Sequence, residues 1–194
     1  MLAQLTSVKA RLGILPGDTQ YDELLTRAIQ AVSARFDHEC DRTLARSIGV
    51  TQEFCGRAME VLPRCYPVES VTKFEVKSTE SEGWVEQTGV EYLLRSGCVV
   101  SLVAPLSAVE EALGRITYTG GYVLPGGTPG QGQTALPSDL EHAAIEQVAV
   151  WFYNKEKLGL FRHWPSSGTY VVLSQQPLLP VVAATLRSYQ RWVV

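Results

Sequence analysis

Apolar residues recur at helical spacing near the start of the chain. The first stripe covers residues 5–12 and ends at Gly13, a residue that commonly terminates helices. After a loop at residues 16–19, a second stripe continues to about Cys40. Its apolar positions are Leu25, Ala28, Ile29, Val32 and Phe36. The pattern predicts two helices that form an N-terminal helical hairpin.

From Val50 onward the apolar period changes from helical to alternating. In residues 68–77, four of the five positions of one parity are charged, whereas the other parity holds Val68, Phe74 and Val76 with small polar residues. Such alternation indicates a half-buried strand. Similar short segments lie at residues 52–55, 59–62, 92–95, 99–103 and 115–122. Residues 50–123 are therefore predicted to form a small antiparallel sheet or barrel.

A glycine-rich segment follows the predicted strands. Residues 120–132 contain six glycines and two prolines, which leaves few side chains to bury and much backbone entropy to lose on ordering. We expect a flexible interface loop that becomes ordered against a neighbouring subunit or ring. Its glycines are Gly120, Gly121, Gly126, Gly127, Gly130 and Gly132.

Helical periodicity returns in the last third of the chain. Ser138 begins a capping pattern, and the apolar stripe behind it runs to about Leu158. Residues 170–173 are a possible strand, and residues 177–193 again fit one helix face. The predicted fold class is α+β, a helical scaffold with an inserted antiparallel sheet. The predicted division is 1–48 helical hairpin, 49–123 β-rich insertion, 124–136 loop, and 137–194 C-terminal helices and docking tail.

Composition is that of a globular protein. The chain has 194 residues, 45% of them hydrophobic, and a formal net charge of −3. Its apolar runs are much shorter than the roughly 20 residues that a membrane span requires. The first residues lack a basic region followed by an apolar run, so we expect the protein to reside in the cytoplasm in which it is made.

The cofactor and metal motifs in the chain do not lie in the structural settings that such sites require. Residues 130–135 match a GxGxxA string, but the predicted helix starts after the motif and the preceding strands are antiparallel, unlike a dinucleotide site. Residues 120–138 contain no lysine or arginine for a phosphate loop. The cysteines Cys40, Cys55, Cys65 and Cys98 form no close pair; a zinc site assembled from them and His38 is the alternative to buried, reduced thiols. We expect no cofactor.

Candidate catalytic residues are scattered. They are Cys40 with His38, His142 on the predicted long helix, and a serine pair at residues 166–167 that follows His163. None lies in the strand–turn–helix setting of a nucleophile elbow. The sequence therefore predicts no catalytic site. A small hydrolase built from His142 or His163 with distant cysteines and carboxylates is the enzymatic alternative.

Charge and aromatic residues separate the C-terminal tail from the rest. Beyond Glu156 the chain has four cationic and five aromatic residues but no acidic one, a composition typical of binding hot spots. The alternative is a terminal helix packed on its own core. The overall acidity disfavours tight DNA binding but allows DNA to pass through a pore. The predicted partner-docking residues are Phe161, Arg162, Trp164, Arg187, Tyr189, Arg191 and Trp192.

The order of several short segments carries a family resemblance. The segments are Leu5-Thr-Ser-Val-Lys-Ala-Arg-Leu-Gly13, Asp22-Glu-Leu-Leu-Thr-Arg-Ala-Ile-Gln-Ala-Val32, Leu62-Pro63, Tyr66-Pro-Val-Glu-Ser-Val71, Ile116-Thr-Tyr-Thr-Gly-Gly-Tyr122, Leu136-Pro-Ser-Asp-Leu140 and Val148-Ala-Val-Trp-Phe-Tyr153. Their order resembles that of phage head-tail connector (adaptor, head-completion) proteins over about residues 4–160. Residues after Leu160 match no segment of that family.

The resemblance implies a structural virion protein without a catalytic site. Such connectors form a homo-oligomeric ring, commonly twelvefold, under the portal vertex, and they join the capsid to the tail. The implied partners are further copies of the chain, the portal protein and a tail or stopper protein. DNA is implied only as transiting channel content, and no membrane is involved. Another tail-completion or tail-terminator protein is the alternative within the virion.

Overall fold

The structure is a computed structural model that describes residues 1–155, 162–163, 171–172 and 178–191. Its elements, in chain order, are α1 Leu5–Leu12, α2 Asp22–Glu39, β1 Ser47–Cys55, β2 Glu60–Val61, β3 Val68–Lys77, β4 Val85–Gln87, β5 Tyr92–Arg95, β6 Val99–Leu102, β7 Leu113–Gly120, β8 Tyr122–Val123, β9 Thr134–Ala135, α3 Ser138–Tyr153, β10 Arg162–His163, β11 Val171–Val172 and α4 Pro180–Arg187. The α+β fold class predicted from the sequence is confirmed.

The chain divides into two compact units. The helical unit comprises Met1–Phe36 and Pro137–Tyr189, and the β unit comprises Asp37–Leu136 and Gln190–Val194. The first division falls inside α2, and the second falls between residues 136 and 137. The division of the chain into four parts stays a prediction.

In the helical unit, α3 contacts both α1 and α4. The α1 helix ends at Gly13 in the left-handed conformation (φ 71°), and the N–H of Ile14 donates to the carbonyl of Lys9 at 2.9 Å. Four apolar residues that the α2 stripe predicted to be internal are fully buried. They are Leu25, Ile29, Val32 and Phe36.

The C-terminal helices are shorter than their apolar patterns. The α3 helix ends at Tyr153, and the backbone N–H and the side-chain amide of Asn154 both donate to the carbonyl of Val150, at 3.1 and 2.9 Å. The predicted extension to Leu158 otherwise lies outside the described residues. The α4 helix begins at Pro180, where a ring without N–H suits the first helical position.

The β unit holds two separate antiparallel sheets rather than a closed barrel. One has the strand order β1-β7-β3-β4 and the other β2-β6-β5. Both contribute to one buried apolar cluster. Its members are Val61, Cys65, Val68, Phe74, Val100, Leu102, Ile116 and Tyr118. The sequence missed β4, a three-residue edge strand too short to show alternation, and the parallel pair β8–β9.

The glycine-rich stretch begins inside the four-stranded sheet. Gly120 is the last residue of β7, and a β-carbon there would lie 2.5 Å from the carbonyl oxygen of Cys65. A β-carbon on Gly121 (φ 99°) would lie 2.6 Å from the carbonyl oxygen of Ala45. These two glycines permit close approach of backbones. The exposed loop therefore begins later than the glycine content predicts.

One face of the four-stranded sheet carries a charged network around Glu75. The carboxylate of Glu75 accepts from Nε of Arg115 at 2.7 Å and pairs with Nζ of Lys73 at 2.8 Å. The guanidinium of Arg115 also lies over the ring of Trp84, 4.2 Å from its centroid. The bonds from Arg115, and then those from Lys73, lower the pKa of Glu75 to about 2.

Acid titration is expected to reveal this network. Glu75 stabilises the fold above its ordinary pKa of 4.5, and this contribution disappears as the pH falls from about 4.5 to about 2. Glu75→Gln should therefore cost about 1–2 kcal/mol at pH 7 and flatten the loss of stability between those pH values. Urea unfolding at several pH values measures both effects. Glu80→Gln, which alters an exposed pair with Lys77, is the control and should change little.

Candidate interaction site

The α4 helix holds part of the predicted docking surface. Val182 and Leu186 are buried, whereas Arg187 is exposed. The Gln147 side chain on α3 accepts from the N–H of Leu179 at 2.9 Å, which fixes the chain entering α4. One face of this helix thus stabilises the helical unit, and Arg187 remains accessible to a partner.

Two other predicted docking residues make contacts within the chain. The hydroxyl of Tyr189 lies 2.8 and 2.9 Å from the carboxylate oxygens of Asp139. The guanidinium of Arg191 donates to the carboxylate of Asp41 at 3.2 Å and to the carbonyl of Leu62 at 2.9 Å, and its side chain is 12% exposed. These contacts hold the two side chains in place within the fold.

The other predicted docking residues of the tail lie outside the part of the chain whose side chains the structure describes. Phe161, Trp164 and Trp192 lie outside the described residues, and for Arg162 only the backbone position in β10 is described. Docking through the tail stays a prediction, with Arg187 as its exposed cation among the described positions.

The later glycines form an exposed loop between β8 and β9. The N–H of Gly127 donates to the carbonyl of Leu124 at 3.0 Å, and the N–H of Gly130 donates to the side chain of Gln133 at 2.9 Å. These bonds are local, so the loop carries little fold-stabilising structure. Its exposed glycines are Gly126, Gly127, Gly130 and Gly132. Their role as an interface stays a prediction.

The loop predicted at residues 16–19 is a turn between α1 and α2, and the exposed Leu15 at its start was not recognised from the sequence. Residues 15–20 are all exposed, and Leu15 is 75% exposed. The N–H of Asp18 donates to the carbonyl of Leu15 at 3.0 Å and closes the turn. Beneath it lies Lys9, which is 3% exposed. An apolar residue beside Pro-Gly-Asp was the available signal, because such a residue in a turn has no core to enter.

An apolar groove lies between α2 and α3. It has a volume of about 380 Å³, and it is lined mostly by leucine, alanine and aromatic side chains. Arg27 and Lys155 are the cations in its lining, and the ammonium of Lys155 lies over the ring of Phe152, 4.0 Å from its centroid. The lining residues are Leu24, Leu25, Arg27, Ala28, Ala31, Trp151, Phe152 and Lys155. Ala28 was predicted from the sequence as part of the apolar face of α2, whereas Ala31 was not, and a hollow between two helices has no sequence signature.

The candidate nucleophile that follows α2 is unsuited to catalysis. Cys40 is buried, and this burial raises the pKa of its thiol to about 11, which keeps it protonated at neutral pH. Burial also raises the pKa of Cys65. Within the described parts of the chain, no three His, Cys, Asp or Glu side chains are grouped to hold a metal ion. Nor does any described helix have the length and apolar character of a membrane span.

Comparison with known proteins identifies a structural relative. No protein-family model matches the chain, and no curated protein sequence matches it. A solved structure described as the neck of an empty GTA (gene transfer agent) particle, computed with C6 symmetry, contains a similar chain. The TM-score is 0.60 at 17% identity, covering 100% of this chain and 91% of the other. The two chains share a fold.

Proposed function

We propose that this protein is a structural component of the neck of a phage or phage-like particle, where the head joins the tail. The observation that carries the proposal is the fold likeness to a chain of a GTA neck, which covers the whole of this chain and nearly all of that one. A shared fold over the full length supports a shared architectural role more strongly than a match to one sub-structure would.

Within the neck, we propose a connector that forms a ring, most simply twelvefold, under the portal vertex. Its partners are further copies of itself, the portal, and a tail or stopper protein, and DNA passes through the channel. The order of sequence segments over residues 4–160 supports this assignment. The net charge of −3 is consistent with a channel that conducts DNA without binding it tightly.

Assembly with purified portal tests the connector assignment. Native mass spectrometry of the protein with portal should show a complex containing many copies, and negative-stain images should show a ring on the portal. Binding to a tail tube with no binding to portal would instead identify a tail-completion or tail-terminator protein. Absence of the protein from purified particles would contradict the neck assignment altogether.

Removing the histidines tests the non-enzymatic character of the protein. His38→Ala, His142→Ala and His163→Ala should each leave particle assembly within about twofold of the wild type, because no step of the proposed function uses an imidazole. Particle yield measures the effect, and thermal unfolding verifies that each variant folds. A variant that folds normally but loses a measurable turnover would contradict the proposal and favour the hydrolase alternative.

A further inference from the structure

The turn between α1 and α2 is rigidly held from beneath. The buried ammonium of Lys9 donates to the carbonyls of Pro16 and Asp18, at 3.0 and 2.5 Å, and to the carboxylate of Asp22 at 2.8 Å. A buried lysine satisfied by three oxygen acceptors fixes the backbone around it. Leu15 is consequently presented to solvent on an ordered turn, and little conformational entropy is left to lose on binding.

The turn also carries a negative charge next to this leucine. The exposed Asp18 side chain accepts from the N–H of Gln20 at 3.0 Å, which orients its carboxylate on the same turn. Among the described charged residues, no ion pair engages Asp18. An apolar anchor with one adjacent carboxylate is therefore what the turn offers to a partner.

The apolar groove between α2 and α3 has complementary chemistry. Leu24, Ala28 and Ala31 lie on one face of α2, since they are spaced by three or four residues. The alanines leave a hollow beside Trp151. In the lining, Arg27 is 75% exposed along its side chain and pairs with Glu23, which is also exposed, so this ion pair is weak. The volume of the groove, about 380 Å³, lies within the range of sites that hold small ligands.

We propose that the Leu15 turn of one copy docks into the apolar groove of the next copy. Leu15 would enter the hollow beside Ala28 and Ala31, and Asp18 would face Arg27 and Lys155. The turn and the groove are different patches of one chain, so each copy can give its turn to one neighbour and receive the turn of another; this heterologous mode is the type that generates rings. The inference rests on the proposed function, for which it supplies an interface between copies.

Matched leucine and isoleucine variants test the apolar part of the contact. Leu15→Ser should weaken self-association at least tenfold, because burial of a leucine side chain contributes more than the free energy of a tenfold change in affinity. Ile48→Ser, at a residue in the β unit that is also 75% exposed, should leave self-association unchanged. Sedimentation over a concentration series measures both. Equal effects of the two variants, or a wild type that stays monomeric over the whole series, would overturn the proposal.

A charge exchange tests the pairing itself. Asp18→Arg and Arg27→Glu should each weaken self-association several-fold, and the double variant should recover most of the loss, since every copy carries both surfaces. Ala31→Gln, which fills the groove at an exposed position of α2, should act like Leu15→Ser. Additive losses in the double variant, or normal association of Ala31→Gln, would exclude this docking mode.

Binding to portal is measured on the same variants, so that the two proposals fail separately. Association that is insensitive to all of these substitutions, together with normal incorporation into particles, rejects the Leu15 contact and keeps the neck function. Leu15-dependent association of a protein that never enters particles keeps the contact and rejects the neck function.

Discussion

Gly120→Ala is expected to prevent stable folding of the β unit. The new methyl group would lie 2.5 Å from the carbonyl oxygen of Cys65 and 2.8 Å from the carbonyl oxygen of Pro67, and these backbone atoms cannot turn aside as a flexible side chain would. We expect a loss of about 3 kcal/mol or more in the free energy of unfolding. Soluble yield and urea unfolding of the purified variant measure the effect.

Gly130→Ala is the matched control from the same glycine-rich stretch. A β-carbon on Gly130 would meet nothing closer than the side-chain oxygen of Gln133, at an ordinary 3.4 Å. This variant should unfold within about 0.5 kcal/mol of the wild type, as surface substitutions usually do. Equal stability of the two variants would show that Gly120 is not enclosed in the sheet.

Arg191→Ala and Arg187→Ala are expected to have opposite consequences. Loss of Arg191 removes the bonds to Asp41 and to the carbonyl of Leu62, so the β unit should lose about 1–3 kcal/mol of stability. Loss of the exposed Arg187 should leave stability unchanged and, if the tail docks on portal, weaken portal binding about tenfold. Thermal melts and portal pull-down on both variants measure this.

The pair of arginines also separates docking from internal packing. Unchanged portal binding by Arg187→Ala would remove the described part of the tail from the docking surface. An Arg191→Ala protein with a normal melting temperature would contradict the structural role assigned to that side chain. From the sequence, Arg187 and Arg191 were both predicted to be docking residues, because both lie in the same acid-free tail. The two variants test this prediction one residue at a time.

The sequence alone determined the kinds of element and most of their positions. Strand β3 spans the ten residues that alternation predicted, and α2 buries Leu25 and Ile29 on the predicted face. These succeed because burial on one side imposes a period that depends only on local geometry. The α+β class follows from the change of period at Val50 and its return near Ser138.

Tertiary structure decided which glycines and arginines are enclosed in the fold and which remain exposed. Glycine content predicted mobility at Gly120, but the backbone of residue 65 comes from a distant part of the chain and makes that glycine a packing requirement. The acid-free composition of the tail predicted one docking surface. In the structure, long-range hydrogen bonds anchor Arg191, whereas Arg187 is exposed. The turn at Leu15 required the buried Lys9 beneath it. The positions of Gly120 and Arg191 depend on contacts between segments far apart in sequence, which no local pattern records.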